Sequence, residues 1–305
     1  MENVNLAAVD IGSNGARLLI KNVQEDLFGN ITFRKLMFLR IPLRLGMDVF
    51  TLGEISPEKE EMMMRMMKGY KQFMKLYKVQ DYRACATSAM RDARNGKKVI
   101  KDIYKKTGLQ LEILDGKEEA RLLYNNKIEN VAGNEGNYAY VDVGGGSTEI
   151  SLLHDGILAG SCSYNLGTVR MLSGAVADGI VERLKADMAK YAKDFKDIQI
   201  IGSGGNINKL YRLSRGRHPE EEEENVLQIS TLREMYTELK DLTVQERMTK
   251  FSLKPDRADV IIPAAEIFLS VAEGLQCKTI GIPNIGLADC IIDGLYKKWK
   301  QEEEY

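Results

Sequence analysis

Two stretches of the chain, "VDIGSNGARLLI" near its start and "VDVGGGSTEISLL" near its middle, each set an aspartate just before a glycine-rich turn. A turn whose residues lack Cβ lets several backbone N–H groups point into one concavity, and such nests bind anions, phosphate above all. The first stretch offers Asp10, Gly12, Ser13 and Asn14. The second offers Asp142, Gly144, Gly145, Gly146, Ser147, Thr148 and Glu149. A third, "IGSGGNINKL" from Ile201, has the same glycine and serine content and runs into a helical pattern, whose N-terminus also favours an anion. Any one of these alone reads equally well as a plain turn. Together they describe two mirrored phosphate cradles facing one cleft, with a carboxylate in each to hold a divalent cation. Magnesium is the natural ion, because it binds through carboxylates, water and substrate phosphates.

The elements that must position these residues alternate along the chain. Leu6 to Ile11 and Ala16 to Val23 read as strands joined by an Asn14-Gly15 turn, and Ile31 to Leu39 reads as a third strand. "SPEKEEMMMRMMKGYKQFMKLYKV" predicts a helix, with Ser56 as N-cap, Pro57 at its first position and a methionine-rich core face. A strand in "YRACATSAM" leads into a helix over Arg91 to Thr107. "LQLEIL" is another strand and "DGKEEARLLYNNKIENV" another helix. Strands and helices alternating in this way predict an α/β fold.

"GNEGN" at Gly133 to Asn137 is the expected linker, after which the pattern restarts. Strands over Tyr138 to Val143, Thr148 to His154 and "GILAGSCSYN" repeat the opening of the chain. A duplication of this kind fixes the architecture. It predicts domains 1–130 and 131–305, with the closing helix "GLADCIIDGLYKKWKQEEE" able to return to the first.

Composition sets the limits. A net charge of −1 gives no reason to expect a nucleic-acid or membrane partner, so an anionic substrate must be met by a local basic cluster. Four cysteines without a CxxC pair and two histidines argue against a zinc site or a disulfide framework. The N-terminal stretch lacks a leader pattern, which predicts a cytoplasmic protein.

The stretches "AAVDIGSNGARLLI", "CATSAMRDARNG", "ILDGKEEARLLY", "YVDVGGGSTEI", "LGTVRM", "IGSGGNINKL" and "KPDRADVIIPAAEI", in this order, resemble the exopolyphosphatase and guanosine pentaphosphate phosphohydrolase (Ppx/GppA) family in its short, two-domain form. That family is part of the acetate and sugar kinase, Hsp70 and actin superfamily. The resemblance implies two ribonuclease-H-like (actin-like ATPase) domains with an interdomain cleft. It implies a magnesium-dependent hydrolase acting on inorganic polyphosphate or guanosine pentaphosphate, and a homodimer. In "LDGKEEAR" it puts the catalytic base, which deprotonates the attacking water, on Glu119, with Glu118 an ordinary first-turn glutamate. It puts metal and water at Asp10, Asp142 and Glu149, and a phosphate-binding arginine at Arg91.

Arg17, just past the first turn, stands where family members differ and is a candidate reader of substrate type. Arg40, Arg44 and Lys209 are further candidate phosphate contacts. The chain departs from the family pattern at Gly15, where a small polar residue is usual, and at Asn206, where threonine is common. Two other readings are a kinase or ATPase of the wider superfamily, against which "KEEARL" argues, and a weakly catalytic nucleotide or polyphosphate sensor.

Overall fold

The computed structural model describes residues 2–122, 135–221, 223–283 and 286–303. Its contacts divide the chain into two units, residues 1–126 with 287–305 and residues 127–286. The boundary expected at residues 130/131, and the later part of the helix expected over "DGKEEARLLYNNKIENV", lie outside the described residues.

The first unit opens with β1 (Glu2–Ile11), β2 (Ala16–Glu25), β3 (Ile31–Ile41), α1 (Leu45–Leu52) and α2 (Pro57–Leu76). It continues with β4 (Asp81–Ala86), α3 (Ser88–Asp92), α4 (Gly96–Thr107), β5 (Glu112–Ile113) and α5 (residues 116–122). Its sheet runs β3-β2-β1-β4-β5, with β1–β2 and β2–β3 antiparallel and β1–β4 and β4–β5 parallel. This is the ribonuclease-H-like order expected from the sequence. The α2 helix begins as its sequence predicts, with Ser56 Oγ accepting from the Lys59 amide at 3.3 Å and Pro57 at the first position. Met63, Met66, Met67, Tyr70 and Met74 recur at helical spacing and are buried in the first core with Val9, Ile11, Leu18 and Ile20.

One predicted helix is broken. In place of a continuous helix over Arg91 to Thr107, α3 ends at Asp92, and Ala93 takes extended backbone. Asn95 explains the interruption: its side chain accepts from the Ile55 amide at 2.9 Å and donates to the Ile55 carbonyl at 2.8 Å. A fixed side-chain bond to a distant strand-like segment outweighs one more helical turn. Only Glu112–Ile113 of "LQLEIL" pair as a strand.

The second unit holds β6 (Asn137–Val143), β7 (Thr148–His154), β8 (Ile157–Tyr164), α6 (Thr168–Leu172), α7 (Ile180–Asp194) and β9 (Gln199–Ser203). It goes on through α8 (Gly205–Ser214), β10 (Val226–Gln228), α9 (Ile229–Lys240), α10 (Val244–Phe251), α11 (Pro255–Ala258), α12 (Ile261–Leu275) and β11 (Thr279–Gly281). Read from β8, its sheet runs β8-β7-β6-β9-β11 and repeats the first order, with β10 added antiparallel at the edge. Its own core packs Val141, Ile150, Leu184, Met188, Ile261, Ala265 and Phe268 together.

The last helix, α13 (Leu287–Glu303), belongs to the first unit. There Lys21 pairs with Asp289 at 2.8 Å, Lys300 holds Glu25 at 2.8 Å, and the Tyr296 ring meets Phe33 edge-on. The Lys300 hydrogen bond first, and then one from the Tyr296 hydroxyl at 3.0 Å, draw the Glu25 carboxyl below its ordinary range. Among the described residues no helix is long and apolar enough to cross a membrane.

Candidate active site

Both glycine turns are built the same way. Gly12 N–H donates to the Gly15 carbonyl at 3.1 Å, and Gly144 N–H to the Ser147 carbonyl at 2.9 Å. The central residues are therefore Ser13-Asn14 and Gly145-Gly146, one position earlier than an Asn14-Gly15 turn. No residue of either turn has a positive φ, so neither is the left-handed Asn-Gly turn that the sequence suggests.

The start of the following helix pins each turn from behind. In the first unit, Arg44 N–H donates to Asn14 O at 3.1 Å and Gly46 N–H to Ser13 O at 2.8 Å. In the second, Thr168 donates to Gly144 O at 3.0 Å, Val169 to Gly145 O at 2.7 Å, and Arg170 Nε to Gly146 O at 2.7 Å. Gly167 permits this approach, because a Cβ there would lie 2.5 Å from the Gly145 and Gly146 backbone. With the carbonyls taken, the amides of Ser13, Gly15, Gly145, Gly146 and Ser147 donate to no group among the described residues. Amides left over in a glycine turn are the kind of donor an anion nest uses.

Thr148 has a different task from the one its position suggests. It is fully buried, and its hydroxyl donates to Leu166 O at 2.6 Å, so it fastens the turn and has no proton left for a phosphate. Ser13 Oγ lies 2.8 Å from Ser88 Oγ, a partner brought in by α3.

Strand register places the carboxylates in two rows. Side chains directly opposite on neighbouring strands share a face. In the first sheet the row is Arg40, Arg17, Asp10, Cys85, Glu112. Asp10, 2% exposed, takes an ion pair from Arg17 Nη1. Burial first, and then the Glu112 carboxylate, push the Cys85 thiol up, so it stays neutral beside Asp10. In the second sheet the row is Ser203, Asp142, Glu149, Ser163. Here two carboxylates stand side by side, Asp142 accepting from Ser203 Oγ and Glu149 from Ser163 Oγ at 3.1 Å. Glu149 is 3% exposed. Like charges directly opposite repel, and a cation between them reverses the sign.

The two glutamates of α5 separate clearly. Asp115 caps the helix by accepting from the Glu118 amide at 2.7 Å. Glu118 binds Arg83 Nη2 at 2.9 Å, an arginine that also holds Glu112, which makes it structural. Glu119 is buried, with Arg91 Nη1 at 3.8 Å from its Oε2, and Arg91 is itself steadied by Leu114 O at 2.8 Å.

The third glycine stretch closes on Asp142. Gly204 has φ 109°, a conformation side chains avoid, and a Cβ there would lie 3.3 Å from Asp142 Oδ1. Asn206 accepts from Arg257 Nη1 at 2.7 Å, and the same guanidinium covers Gly205. Lys209 Nζ reaches the Phe251 carbonyl at 3.4 Å. The sequence reading missed Ser88, Ser163, Arg170, Ser203 and Arg257. Most lie inside stretches already singled out, but their partners are 14 to 75 residues away.

Asp10 lies in the first unit's row, and Asp142 with Glu149 in the second's. Among the described residues no three His, Cys, Asp or Glu side chains gather as a metal-holding group. The Asp142–Glu149 pair still fits magnesium, which takes one or two carboxylates and fills its sphere with water and substrate oxygens.

Two units with 3-2-1-4-5 sheets, each presenting a glycine turn beside a buried carboxylate, define an α/β protein of duplicated ribonuclease-H-like architecture. The profile of the Ppx/GppA phosphatase family matches residues 30–299, and the chain belongs to that family of enzymes. It is 26% identical to exopolyphosphatase 2 of Mycobacterium tuberculosis, over 97% of this chain and 98% of that protein. It is 27% identical to a bifunctional 3-dehydroquinate synthase/phosphatase of Fusobacterium nucleatum, covering 96% of this chain but spanning only 47% of that relative. A guanosine-5'-triphosphate,3'-diphosphate pyrophosphatase of Aeromonas hydrophila is 22% identical over 95% of this chain and 59% of its own length. Among solved structures, an exopolyphosphatase from Cytophaga hutchinsonii aligns with TM-score 0.80 at 21% identity, covering 96% and 98% of the two chains. The Aquifex aeolicus family member aligns with TM-score 0.75 at 24% identity, covering 97% and 99%. These likenesses show a shared fold.

Proposed function

We propose that the protein is a phosphoanhydride hydrolase that releases terminal phosphate from inorganic polyphosphate, guanosine pentaphosphate or both, with magnesium bound. The observation that carries this reading is the Asp142–Glu149 pair beside the Gly144–Ser147 turn: a half-buried and a buried carboxylate on facing strand positions, next to turn amides that bond no group among the described residues. Asp142 and Glu149 hold the cation, and Asp10 serves by orienting Arg17. When bound, magnesium offsets the negative charge that builds on the transferred phosphoryl group.

The chain's own groups account for the rest. Phosphoryl transfer asks for positioning and charge more than covalent chemistry. In the first unit the Ser13 and Gly15 amides hold phosphate oxygens, with Arg17 and Arg91 supplying forked donors; in the second the Gly145, Gly146 and Ser147 amides do the same work. Glu119 accepts a proton from the attacking water at a carboxylate oxygen, with the Arg91 guanidinium 3.8 Å from its Oε2.

The test is phosphate release from long polyphosphate and from guanosine pentaphosphate, with and without magnesium, for wild type and Glu119→Gln. Loss of the base is expected to lower kcat by roughly a hundredfold or more. Full activity in Glu119→Gln removes the base assignment, and absence of cleavage by wild type on both substrates removes the hydrolase reading.

A further inference from the structure

The first row holds a second arginine that the proposed chemistry does not use. Arg40 on β3 stands directly opposite Arg17 on β2, which in turn stands opposite Asp10. Cross-strand partners keep their Cβ atoms about 5 Å apart, so the two guanidiniums lie on one face as neighbours. Both residues are partly exposed and open to solutes.

Gly15 explains how Arg40 reaches the turn. A Cβ on Gly15 would lie 3.1 Å from Arg40 Nη2, 3.3 Å from its Cζ and 3.0 Å from the Ile41 carbonyl. The guanidinium therefore rests against the bare α-carbon of the turn's last residue. A side chain at position 15 would push it away. A charged fork thus lies beside the turn that carries the Ser13 and Gly15 amides.

We propose that Arg40 is a specificity-determining residue. Together with Arg17 it binds the phosphoryl group adjoining the one removed, and Gly15 is what admits its guanidinium. The ligand class is a phosphoanhydride chain of at least two linked phosphoryl groups. A lone phosphate fills one phosphoryl position and leaves the adjoining one, where Arg40 acts, empty. This inference rests on the hydrolase reading above, and its test has a readout independent of turnover.

Binding of tripolyphosphate and of inorganic phosphate is measured calorimetrically without metal, for wild type, Arg40→Gln, Arg40→Lys and Gly15→Ser. Arg40→Gln is expected to weaken tripolyphosphate binding roughly tenfold, as loss of a charged hydrogen bond does, and inorganic phosphate binding by no more than about twofold. Arg40→Lys keeps the charge without the fork and falls between. Gly15→Ser is expected to match Arg40→Gln, with the double variant no worse than either, because both remove one contact. In turnover, the loss falls on KM for long polyphosphate.

Tripolyphosphate binding that is unchanged in Arg40→Gln, weakened equally for both anions, or absent from wild type overturns the proposal. Arg40→Gln and Arg40→Lys keep the outcome readable should Gly15→Ser fold poorly. Arg40-dependent tripolyphosphate binding by a wild type that hydrolyses nothing upholds this inference and removes the hydrolase reading alone.

Discussion

The hairpins β1–β2 and β6–β7 share turn, register and strand order, yet the residue facing the aspartate differs in charge. Asp10 faces Arg17, whereas Asp142 faces Glu149. The next position along diverges in the same sense, Arg40 in the first row against Ser163 in the second. One backbone plan has been given two electrostatic jobs. The first row pairs its own carboxylate and presents guanidiniums suited to anions. The second sets two carboxylates side by side, an arrangement suited to a cation. A duplicated framework is therefore best read by charge at equivalent positions, because the backbone alone would make the halves interchangeable.

The comparison can be tested by breaking each row. Arg17→Met should have the largest effect on stability, about 3 kcal/mol in denaturant unfolding, because it strands a buried carboxylate. Asp10→Asn should cost less, since Arg17 remains about one-third exposed and can be solvated. Equal losses would show that Asp10 is not the buried partner that needs neutralising. Next comes Ser203→Ala, which removes a hydroxyl from Asp142 and should cost about 2 kcal/mol without metal.

The smallest effect reverses sign. Glu149→Gln should stabilise the metal-free protein by up to about 1 kcal/mol, as one of two facing like charges is lost. The same change should abolish the rise in thermal midpoint that magnesium produces in wild type. A destabilised metal-free Glu149→Gln would mean that the second row is not under charge repulsion.

Much of this was legible in the residues. The α2 helix follows from Ser56, Pro57 and a methionine spacing that one buried face demands. The paired hairpins follow from an apolar strand, glycines and a second apolar strand in both halves. The motif around Glu119 was visible too, but not the difference between it and Glu118, which depends on where Arg83 and Arg91 reach. The helix read over Arg91 to Thr107 is interrupted at residues 93–95 because Asn95 answers to Ile55, a contact with no local signature, and it resumes over Gly96–Thr107.

What the sequence determined by itself is local: strand and helix periodicity, glycine turns, capping residues, and the aspartates that end β1 and β6. Each depends on backbone sterics or on neighbours within a turn of helix, which the order of residues states directly. Tertiary structure alone decided the rest. Register across five strands chose Arg17 for Asp10 and Glu149 for Asp142. The packing of α6 took up the Gly144, Gly145 and Gly146 carbonyls, and the fit of Arg40 against Gly15 gave an absent side chain a purpose. Those outcomes depend on which distant segments share a sheet, and that follows from burying two cores rather than from any one motif.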